Sequence, residues 1–399
     1  MPESPKVAAI ITTYFPNSHA DVIVTRFLEG FPSDEGVIPP QARIVSMWLD
    51  QIAPNDIGLA KAKEHGVPVF QSIRAALTLG GSDLAVDGVL LVGEHGDYPR
   101  DEWDRQMYPR RALFEQICGV FAETKKSVPV FVDKHLSYNW PDAAWMLERA
   151  RQLNVPLMAG SSLPVGWREP ELELDLDCGL TDALALGYGP LEAYGYHTVE
   201  TLQCMVERRR GGETGVKAVT CLRGDDVWKA GENGVWSQDL FEAALKTVFT
   251  KKDEPPRSGC AAPFAFVIEY FSGLRATVIM LDGYIVDWAF AGRVDGKVVA
   301  TEFALEYGPP FSHFGYLSRN IERMFITGVP QYPVERTAIT TGVISAVMES
   351  CAKGGARIST PYLAIPYRSY ETPPIRAYGH KRPGKTGEGY KPIGYSDEG

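Results

Sequence analysis

The chain has 399 residues, of which 45% are hydrophobic and 23% are charged, and its formal net charge is −10 at pH 7. These values exclude a largely disordered chain, and the acidic balance argues against nucleic acid as the main partner, because nucleic-acid binders usually present a basic face. With no apolar run near the ~20 residues of a membrane span and no CxxC pair among the cysteines, we expect a cytoplasmic protein with a small-molecule partner.

Strand-like and helix-like segments alternate over residues 1–160. The predicted strands are Val7–Thr13, Arg43–Leu49, Val67–Phe70, Gly88–Gly93, Pro129–Asp133 and Pro156–Gly160. The predicted helices between them are His19–Gly30, Asp56–His65, Ser72–Leu79, Tyr108–Thr124 and Asp142–Leu153. This alternation predicts βαβ units and a parallel sheet with both faces covered. We therefore assign residues 1–160 to a Rossmann-like α/β domain.

Longer alternating runs follow residue 160. An amphipathic helix is predicted near Val199–Arg209 and another at Arg336–Cys351. The strands predicted between them are Pro263–Phe271, Leu274–Leu281, Tyr284–Ala291 and Lys297–Leu305. The turn pairs Asp282-Gly283 and Asp295-Gly296 separate strands in the manner of hairpins. We predict an α+β domain with a largely antiparallel sheet over residues 161–365 and an extended C-terminal tail over residues 366–399.

Four of the seven histidines, His19, His95, His135 and His197, fall where a parallel sheet would place its cleft. Open α/β sheets bind ligands outside the carboxyl ends of their strands. Imidazoles mixed with carboxylates suit Zn, Mn, Fe or Ni, so a divalent metal of unknown identity is one hypothesis. Its predicted ligands are His95, Asp97, Asp133 and His135. The alternative is that these side chains bond turn backbone or pair with arginines.

The turn after the first predicted strand contains no glycine, although dinucleotide-binding turns normally carry G-x-G-x-x-G. Those glycines let the backbone approach the pyrophosphate. Here the side chains of Ile11, Thr13 and Pro16 would occupy that space. If a nucleotide binds nevertheless, Thr12 and Asp50 are the predicted contacts, with Asp50 placed to hold a ribose hydroxyl.

Three segments resemble the glucose–fructose oxidoreductase / inositol dehydrogenase (Gfo/Idh/MocA) family. The run Val130-Phe131-Val132-Asp133-Lys134-His135-Leu136-Ser137 is similar to the family's Glu-Lys-Pro-Leu run, and residues 189–200 are similar to its histidine-bearing helix start. Phe325-Ile326-Thr327-Gly328-Val329-Pro330 is similar to its C-terminal pattern. The resemblance covers roughly residues 5–365 and identifies a divergent member that lacks the glycine-rich nucleotide loop.

The resemblance implies a Rossmann domain, a second domain whose antiparallel sheet often mediates oligomerisation, and an active site between them. By position, Lys134 matches the lysine that contacts nicotinamide and substrate, and His197 matches the catalytic acid/base histidine. The family's acid four residues before that histidine is Ala193 here, with Glu192 as a possible substitute. We therefore expect a homo-oligomer with its site in an interdomain cleft.

The preferred hypothesis is an enzyme that acts on a sugar-like or polar small molecule by acid/base, metal-assisted chemistry, as a lyase, isomerase or hydrolase. Lys134 and His197 would be catalytic. The predicted substrate-binding residues are Glu94, Tyr98, Tyr194, Tyr196 and Arg168. One alternative is an NAD(P)-dependent sugar or polyol oxidoreductase of the Gfo/Idh/MocA type, and another is a non-catalytic ligand sensor.

Overall fold

The computed structural model describes residues 4–306 and 308–379. Its first part contains, in chain order, β1 Lys6–Ile11, α1 His19–Glu29, β2 Phe31–Ser33, β3 Gly36–Ile38, β4 Arg43–Leu49, α2 Gly58–Glu64, α3 Ile73–Thr78, β5 Gly88–Val92, α4 Arg110–Thr124, β6 Val130–Asp133, α5 Trp140–Gln152 and β7 Leu157–Gly160. The sheet order is β4-β1-β5-β6-β7, and all of its pairs are parallel. The predicted Rossmann-like sheet is confirmed.

One predicted strand of this sheet, Val67–Phe70, is wrong. Only Val69 pairs with the sheet, through an isolated parallel bridge to Met47 at the edge. Pro68 lacks the N–H that a further ladder bond requires, although its carbonyl still accepts from the Met47 amide at 3.0 Å. The sheet therefore has five strands rather than six.

The second part contains β8 Trp167–Glu169, β9 Leu180–Gly187, α6 Ala193–Val206, β10 Val216–Arg223, α7 Asp225–Glu232, α8 Gln238–Thr247, α9 Pro256–Gly259, β11 Phe264–Tyr270, β12 Arg275–Met280, β13 Trp288–Val294, β14 Lys297–Ala304, α10 Ser312–Thr327, α11 Val334–Ala352 and β15 Ile358–Ser359. Its eight strands run in the order β15-β10-β11-β12-β9-β13-β14-β8. Every pair is antiparallel except β12 with β9. The predicted α/β fold with a second, largely antiparallel sheet is confirmed.

The two predicted hairpin turns have different outcomes. Asp295 and Gly296 join β13 to β14, and both have positive φ, 48° and 79°, which is the backbone of a tight two-residue hairpin. Asp282-Gly283 does not join neighbouring strands, because β9 lies between β12 and β13 and pairs with both. The predicted hairpin is therefore confirmed at Asp295-Gly296 and wrong at Asp282-Gly283, because β9 is inserted between β12 and β13.

Both sheets are covered on both faces. On the first sheet, α1 and α10 pack on one side and α3, α4 and α5 on the other. On the second sheet, α6 and α11 cover one face, and α7 and α8 cover the other. Helix α11 also contacts β7 and α5, so it lies against both sheets. The side of the molecule where β7 meets α6 and α11 is therefore built from both parts of the chain.

The predicted extended tail begins with residues that are packed. Tyr367 exchanges two backbone hydrogen bonds with Glu213, and the amide of Ala377 donates to the carbonyl of Val165 at 3.0 Å. Residues 380–399 of that prediction lie outside the described residues. Among the described helices, none has both the length and the apolar character that crossing a membrane requires. The boundaries proposed at residues 160 and 365 stay predictions.

Candidate functional site

The site is built at the carboxyl edge of the first sheet, where β1, β5 and β6 end side by side. Glu94 and His95 follow β5, and Asp133 ends β6 with Lys134 and His135 directly after it. His95 and Lys134 both have positive φ, 69° and 59°. Such backbone is uncommon for residues other than glycine and recurs at functional sites, where surrounding contacts hold it in place.

A buried ion-pair network joins the two strand ends. Lys134 Nζ lies 2.9 Å from Glu94 Oε1, and the guanidinium of Arg110 binds the second oxygen of the same carboxylate. Gly93 leaves room for this arrangement, because a Cβ there would lie 2.6 Å from the Arg110 side chain. Burial alone raises the pKa of Glu94, but Lys134 and Arg110 outweigh it and hold that pKa well below its usual range. Lys134 therefore presents N–H donors beside a fixed negative charge.

Asp133 links the same network to the first helix. Its Oδ1 accepts from the amide of Gly93 at 2.6 Å, and its Oδ2 lies 2.9 Å from Nδ1 of His19, the first residue of α1. Arg110 Nε is 3.8 Å from Oδ1. The Asp133 side chain is only 1% exposed. Both of its oxygens are thus engaged within the chain.

The imidazoles of His95 and His135 sit against this network. His95 packs edge-on against His19, with ring centroids 5.1 Å apart. Burial and the neighbouring His19 lower the pKa of His95 to about 4. His135 is buried against Tyr196 at 5.4 Å, and burial followed by Arg110 lowers its pKa well below the usual value. Both rings are therefore neutral near pH 7.

Helix α6 brings His197 to this edge from the second part of the chain. Burial lowers the pKa of His197, although Glu200, one turn further along, opposes the shift. His197 Nδ1 is 3.9 Å from Glu200 Oε2, which is too long for a hydrogen bond. Glu200 is held by the Ser161 amide at 2.9 Å after β7. His135, the residue after Lys134, packs on Tyr196 at 5.4 Å and Tyr196 packs on His197 at 5.6 Å, so His197 lies close to the Lys134 segment. The charge of Lys134 contributes to the lowered pKa of His197.

Aromatic rings form one wall around His197. Tyr194, Tyr196 and Trp288 lie with ring centroids 6.0, 5.6 and 5.9 Å from the imidazole. The hydroxyl of Tyr196 also donates to Glu200 Oε1 at 3.4 Å. Two of the predicted substrate-binding tyrosines, Tyr194 and Tyr196, are thus beside the predicted catalytic histidine. Rings of this kind can pack against the C–H faces of a sugar-like ligand.

Glu192, which the sequence analysis named as a possible substitute for the family's acid, lies at this site. It precedes α6, and its Oε2 accepts from the amide of Gln106 at 2.8 Å, on the loop between β5 and α4. Its buried Oε1 has no partner. Burial, then the charge of Glu94, raises the pKa of Glu192 to about 7. The same loop reaches α11, where Arg105 donates to Ser345 Oγ at 3.0 Å, so it bridges both parts of the chain.

The other predicted site residues, Tyr98, Asp50, Asp97 and Arg168, either lie outside the Lys134–Glu94–Arg110 network or already pair with other side chains. Tyr98 donates its hydroxyl to Asp50 Oδ2 at 2.6 Å, and the amide of Asp97 donates to the Gln51 side chain at 2.9 Å. Asp97 is exposed. Arg168 is 1% exposed, pairs with Glu173 at 2.6 Å and stacks on Phe303. Its guanidinium is therefore a structural group and leaves the set of substrate-binding candidates.

The predicted metal site is wrong. Asp133 is engaged by Gly93 and His19, and Asp97 is exposed in a turn. Within residues 4–306 and 308–379, the one His/Cys/Asp/Glu group with ion-holding spacing is Glu29, Glu64 and His65, and it is exposed. His95, Asp97, Asp133 and His135 do not form such a group. The reason is local: the Gly93 amide and the His19 imidazole already engage both oxygens of Asp133.

The turn between β1 and α1 is the place where a Rossmann fold would hold the diphosphate of a dinucleotide. Most amides of this turn already have acceptors within the chain. The amides of Phe15 and Asp21 both donate to Ser18 Oγ. The Asn17 amide donates to Asp21 Oδ2, and the Ser18 amide donates to the carbonyl of Phe15. The carboxylate of Asp21 therefore sits at the helix N-terminus, where a diphosphate would lie. Thr12 is buried and donates to the Glu94 carbonyl at 2.8 Å. Asp50, at the end of β4, keeps the position of a ribose-binding acid. The turn therefore does not fit a diphosphate, and at the ribose end Asp50 has the right position but already accepts from the Tyr98 hydroxyl at 2.6 Å.

Several solved structures have a fold similar to that of this chain. GenD2 from gentamicin A biosynthesis, solved with NAD, has a TM-score of 0.54 at 12% identity and covers 90% of this chain and 97% of its own. Scyllo-inositol dehydrogenase from Lactobacillus casei, solved with NAD(H) and scyllo-inositol, has a TM-score of 0.54 at 10% identity, covering 89% and 99%. A probable dehydrogenase from Thermotoga maritima has a TM-score of 0.52 at 13% identity, covering 90% and 99%. No protein-family model and no curated protein matches the chain.

At these identities the likeness establishes the fold. Since inositol dehydrogenases are among the similar structures, the fold implied by the resemblance to the Gfo/Idh/MocA family is confirmed. The preferred hypothesis of a metal-assisted lyase, isomerase or hydrolase is wrong, because the proteins that share the fold are dehydrogenases and the metal ligands do not assemble. The oxidoreductase alternative is the one that these findings favour.

Proposed function

We propose that this protein is an NAD(P)-dependent oxidoreductase that acts on a hydroxyl or carbonyl group of a sugar-like or polyol small molecule. The observation that supports it most is the position of Lys134, paired with Glu94 at 2.9 Å, at the edge of a Rossmann-like sheet. His197 lies near it, because His135, directly after Lys134, packs on Tyr196 and Tyr196 packs on His197. Two proteins with this fold were solved with NAD or NAD(H), and one of them also with scyllo-inositol.

The chain's own residues would divide the work between them. Lys134 donates a hydrogen bond to the reacting oxygen and stabilises its developing negative charge, because its ammonium is fixed beside Glu94. His197 accepts the hydroxyl proton during oxidation, since burial lowers its pKa and leaves the ring unprotonated near pH 7. Bound NAD(P) would supply the hydride acceptor or donor. Asp50 remains its proposed contact. Thr12 does not, because it is fully buried and its hydroxyl and amide both donate to backbone carbonyls, and the turn amides do not supply a diphosphate cradle.

The substrate class follows from the lining of the site. Tyr194 is half-buried beside His197 and is the ring that a ligand could reach, whereas Tyr196 is fully buried and Trp288 is buried behind the site. A charged network with several donors lies next to them. A polyol or sugar offers C–H faces for the rings and hydroxyls for the polar groups. A cytoplasmic location and a homo-oligomeric state stay predictions. Light scattering coupled to size exclusion would measure the oligomeric state directly.

The experiment is a two-step assay on the purified chain. Thermal shift and calorimetric titration with NAD⁺ and NADP⁺ test cofactor binding. The change in nicotinamide absorbance, followed with each of a panel of cyclitols and sugars, tests turnover. We expect saturable binding of one nucleotide and turnover of at least one polyol. Lys134→Met and His197→Asn should abolish turnover while the fold, checked by circular dichroism, is kept. If neither NAD⁺ nor NADP⁺ binds, the proposal is wrong.

A second candidate function has one observation in its favour. The occupied turn, with Asp21 at the N-terminus of α1, is poorly suited to a diphosphate, and a ligand sensor with no cofactor would not need one. That candidate predicts a polyol that binds without NAD(P) and is released unchanged. Mass spectrometry of the released ligand distinguishes it from the oxidoreductase.

A further inference from the structure

The loop that joins β5 to α4 crosses the cleft from one part of the chain to the other. Residues 93–109 contain no regular helix or strand. Irregular loops longer than about 12–15 residues are uncommon in compact domains and are usually functional, for example as lids. Near its start, Tyr98 donates its hydroxyl to Asp50 Oδ2 at 2.6 Å, and the Asp97 amide donates to Gln51 Oε1 at 2.9 Å. The first end of the loop is thus attached to the segment after β4.

The other end of the loop is attached to the second part of the chain. The Gln106 amide donates to Glu192 Oε2 at 2.8 Å, just before α6. The Arg105 guanidinium donates to Ser345 Oγ on α11 at 3.0 Å. The loop therefore spans the cleft and is held at both ends by hydrogen bonds to polar side chains.

The larger apolar side chains of this loop are not anchored in a hydrophobic core. Tyr98, Trp103, Met107 and Tyr108 are half-buried, and none of them belongs to the core clusters formed by the described residues. Trp103 packs instead against the Arg105 guanidinium of the same loop, at 4.5 Å. Segments with few buried apolar contacts open at a lower free-energy cost than the strands and helices around them. The contacts of this loop are therefore of the kind that can open locally.

The loop also covers groups that a ligand must reach. The side chains of Lys134 and Glu94 are only 5% and 7% exposed. The ring of Tyr108 lies 5.1 Å from the Arg110 guanidinium, which binds Glu94. Glu192, which the loop holds through one oxygen, has its other oxygen buried without a partner. A small molecule therefore touches this network only after a covering segment has moved.

We propose that residues 96–109 form a lid over the cleft and that the hydrogen bond from Tyr98 to Asp50 is its latch. Gly96 begins the lid with a φ of 117°, and a Cβ there would lie 2.5 Å from the Tyr98 ring, so glycine permits the latched conformation. When the latch breaks, Asp50 is free to bind a ligand hydroxyl and the cleft beneath the lid opens. The inference rests on the proposed function for the identity of the ligand, whereas the motion is a property of the free protein.

The motion is tested on the free protein by hydrogen exchange, read by mass spectrometry with residue-level fragmentation. The Asp97 and Gln106 amides both donate to residues outside the lid, so both exchange when the lid opens. Tyr98→Phe keeps the ring but removes the latch, and it should speed the exchange of both amides by about 10-fold. An effect confined to Asp97 would mean that the two ends move independently and would overturn the proposal. No effect at either amide would overturn it too.

A second variant loosens the lid from its other end. Ser345→Ala removes the acceptor of Arg105 and should speed the exchange of the Asp97 amide as well as that of Gln106. The matched control is Tyr362→Phe, which removes an exposed hydroxyl outside the lid and should leave both rates unchanged. Circular dichroism checks that each variant keeps the fold. If Ser345→Ala changes the rate of Gln106 alone, the loop does not move as one lid.

The consequence for ligand access is measured by calorimetric titration with NAD⁺ as the probe. Because Tyr98 occupies the carboxylate that is proposed to bind a ribose hydroxyl, Tyr98→Phe should bind NAD⁺ about 3- to 10-fold more tightly than wild type. Tyr362→Phe should bind it as wild type does. Equal affinities of Tyr98→Phe and wild type would refute the latch. If no variant and no wild type binds NAD⁺ or NADP⁺, the oxidoreductase proposal fails, and the exchange rates alone decide whether the lid exists.

Discussion

Lys134 Nζ lies 2.9 Å from Glu94 Oε1, with both side chains buried at the junction of two strand ends. The lysine follows β6 and the glutamate follows β5, and these strands are neighbours in the parallel sheet. A buried pair of this kind contributes little net stability compared with apolar residues, but removal of one partner leaves an uncompensated charge. The pair is therefore better explained as preorganisation of the lysine for a reacting oxygen than as a stabilising contact.

Loss of the Glu94 charge should destabilise the protein strongly. Glu94→Gln leaves Lys134 and Arg110 without their carboxylate, and we expect the free energy of unfolding to fall by roughly 3–5 kcal/mol, measured by urea denaturation. The matched control is Glu123→Gln, which removes an exposed ion pair with Arg74. That change should cost at most about 1 kcal/mol. Equal effects of the two substitutions would contradict the assigned importance of the buried network.

Glu192 should make stability depend on pH in a direction unusual for a carboxyl group. Its folded pKa is raised to about 7, so the folded state holds a proton that the unfolded state releases above about 4.3. The contribution of Glu192 to the free energy of unfolding is therefore complete below about pH 4.3, the pKa of the group in the unfolded chain. It is lost as the pH rises through about 7, the pKa in the folded protein. In Glu192→Gln this loss should be absent, and the difference between the two unfolding free energies should grow from pH 5 to pH 7.5. A constant difference across that range would refute the assigned pKa.

Asp50 should set the choice between the two nicotinamide nucleotides. An acid at the end of the second parallel strand of a Rossmann sheet can bind the ribose 2′-hydroxyl of NAD and repel the 2′-phosphate of NADP. We expect wild type to prefer NAD⁺ and Asp50→Ala to lose affinity for it by about 10-fold while its affinity for NADP⁺ rises. Calorimetric titration measures both values, and Asp83→Ala, an exposed acid in a turn, is the control. A wild-type preference for NADP⁺ would rule out this role.

His197 should act as a base whose protonation stops the reaction. Because burial lowers its pKa, kcat/KM for polyol oxidation should be flat near neutrality and decline only at pH values below about 6.5. His197→Asn should lower kcat by about 100-fold or more. Glu200→Gln should lower kcat less, because Glu200 lies 3.9 Å from the ring and acts on it through its charge. If the acid limb of the pH profile survives in His197→Asn, another group is the base.

The local pattern of the sequence determined the fold class and the edge of the sheet on which the site lies. Alternation of short apolar strands with amphipathic helices permits few arrangements other than a parallel α/β sheet, and residues that directly follow such strands must meet at one edge. For that reason Lys134, Glu94 and His135 could be placed in one cleft from the sequence. The helix that carries His197 was predicted to begin near Val199, whereas α6 begins at Ala193. Its first turn is rich in glycine and tyrosine, which hid the helical pattern there.

Only the tertiary structure decided what these side chains do. The spacing of residues along the chain indicates that acids and imidazoles converge at one edge of the sheet. It cannot show that Arg110 and Lys134 neutralise Glu94. Nor can it show that the Gly93 amide and His19 engage Asp133. Those partners come from distant segments, and the difference between an ion-pair network and a metal site depends on distances of a few ångströms. The insertion of β9 between β12 and β13 was hidden for the same reason. Which strands pair depends on how whole faces of a sheet are buried, and this involves residues that are far apart in the sequence. The residues of a single segment determine only its local preference for helix or strand.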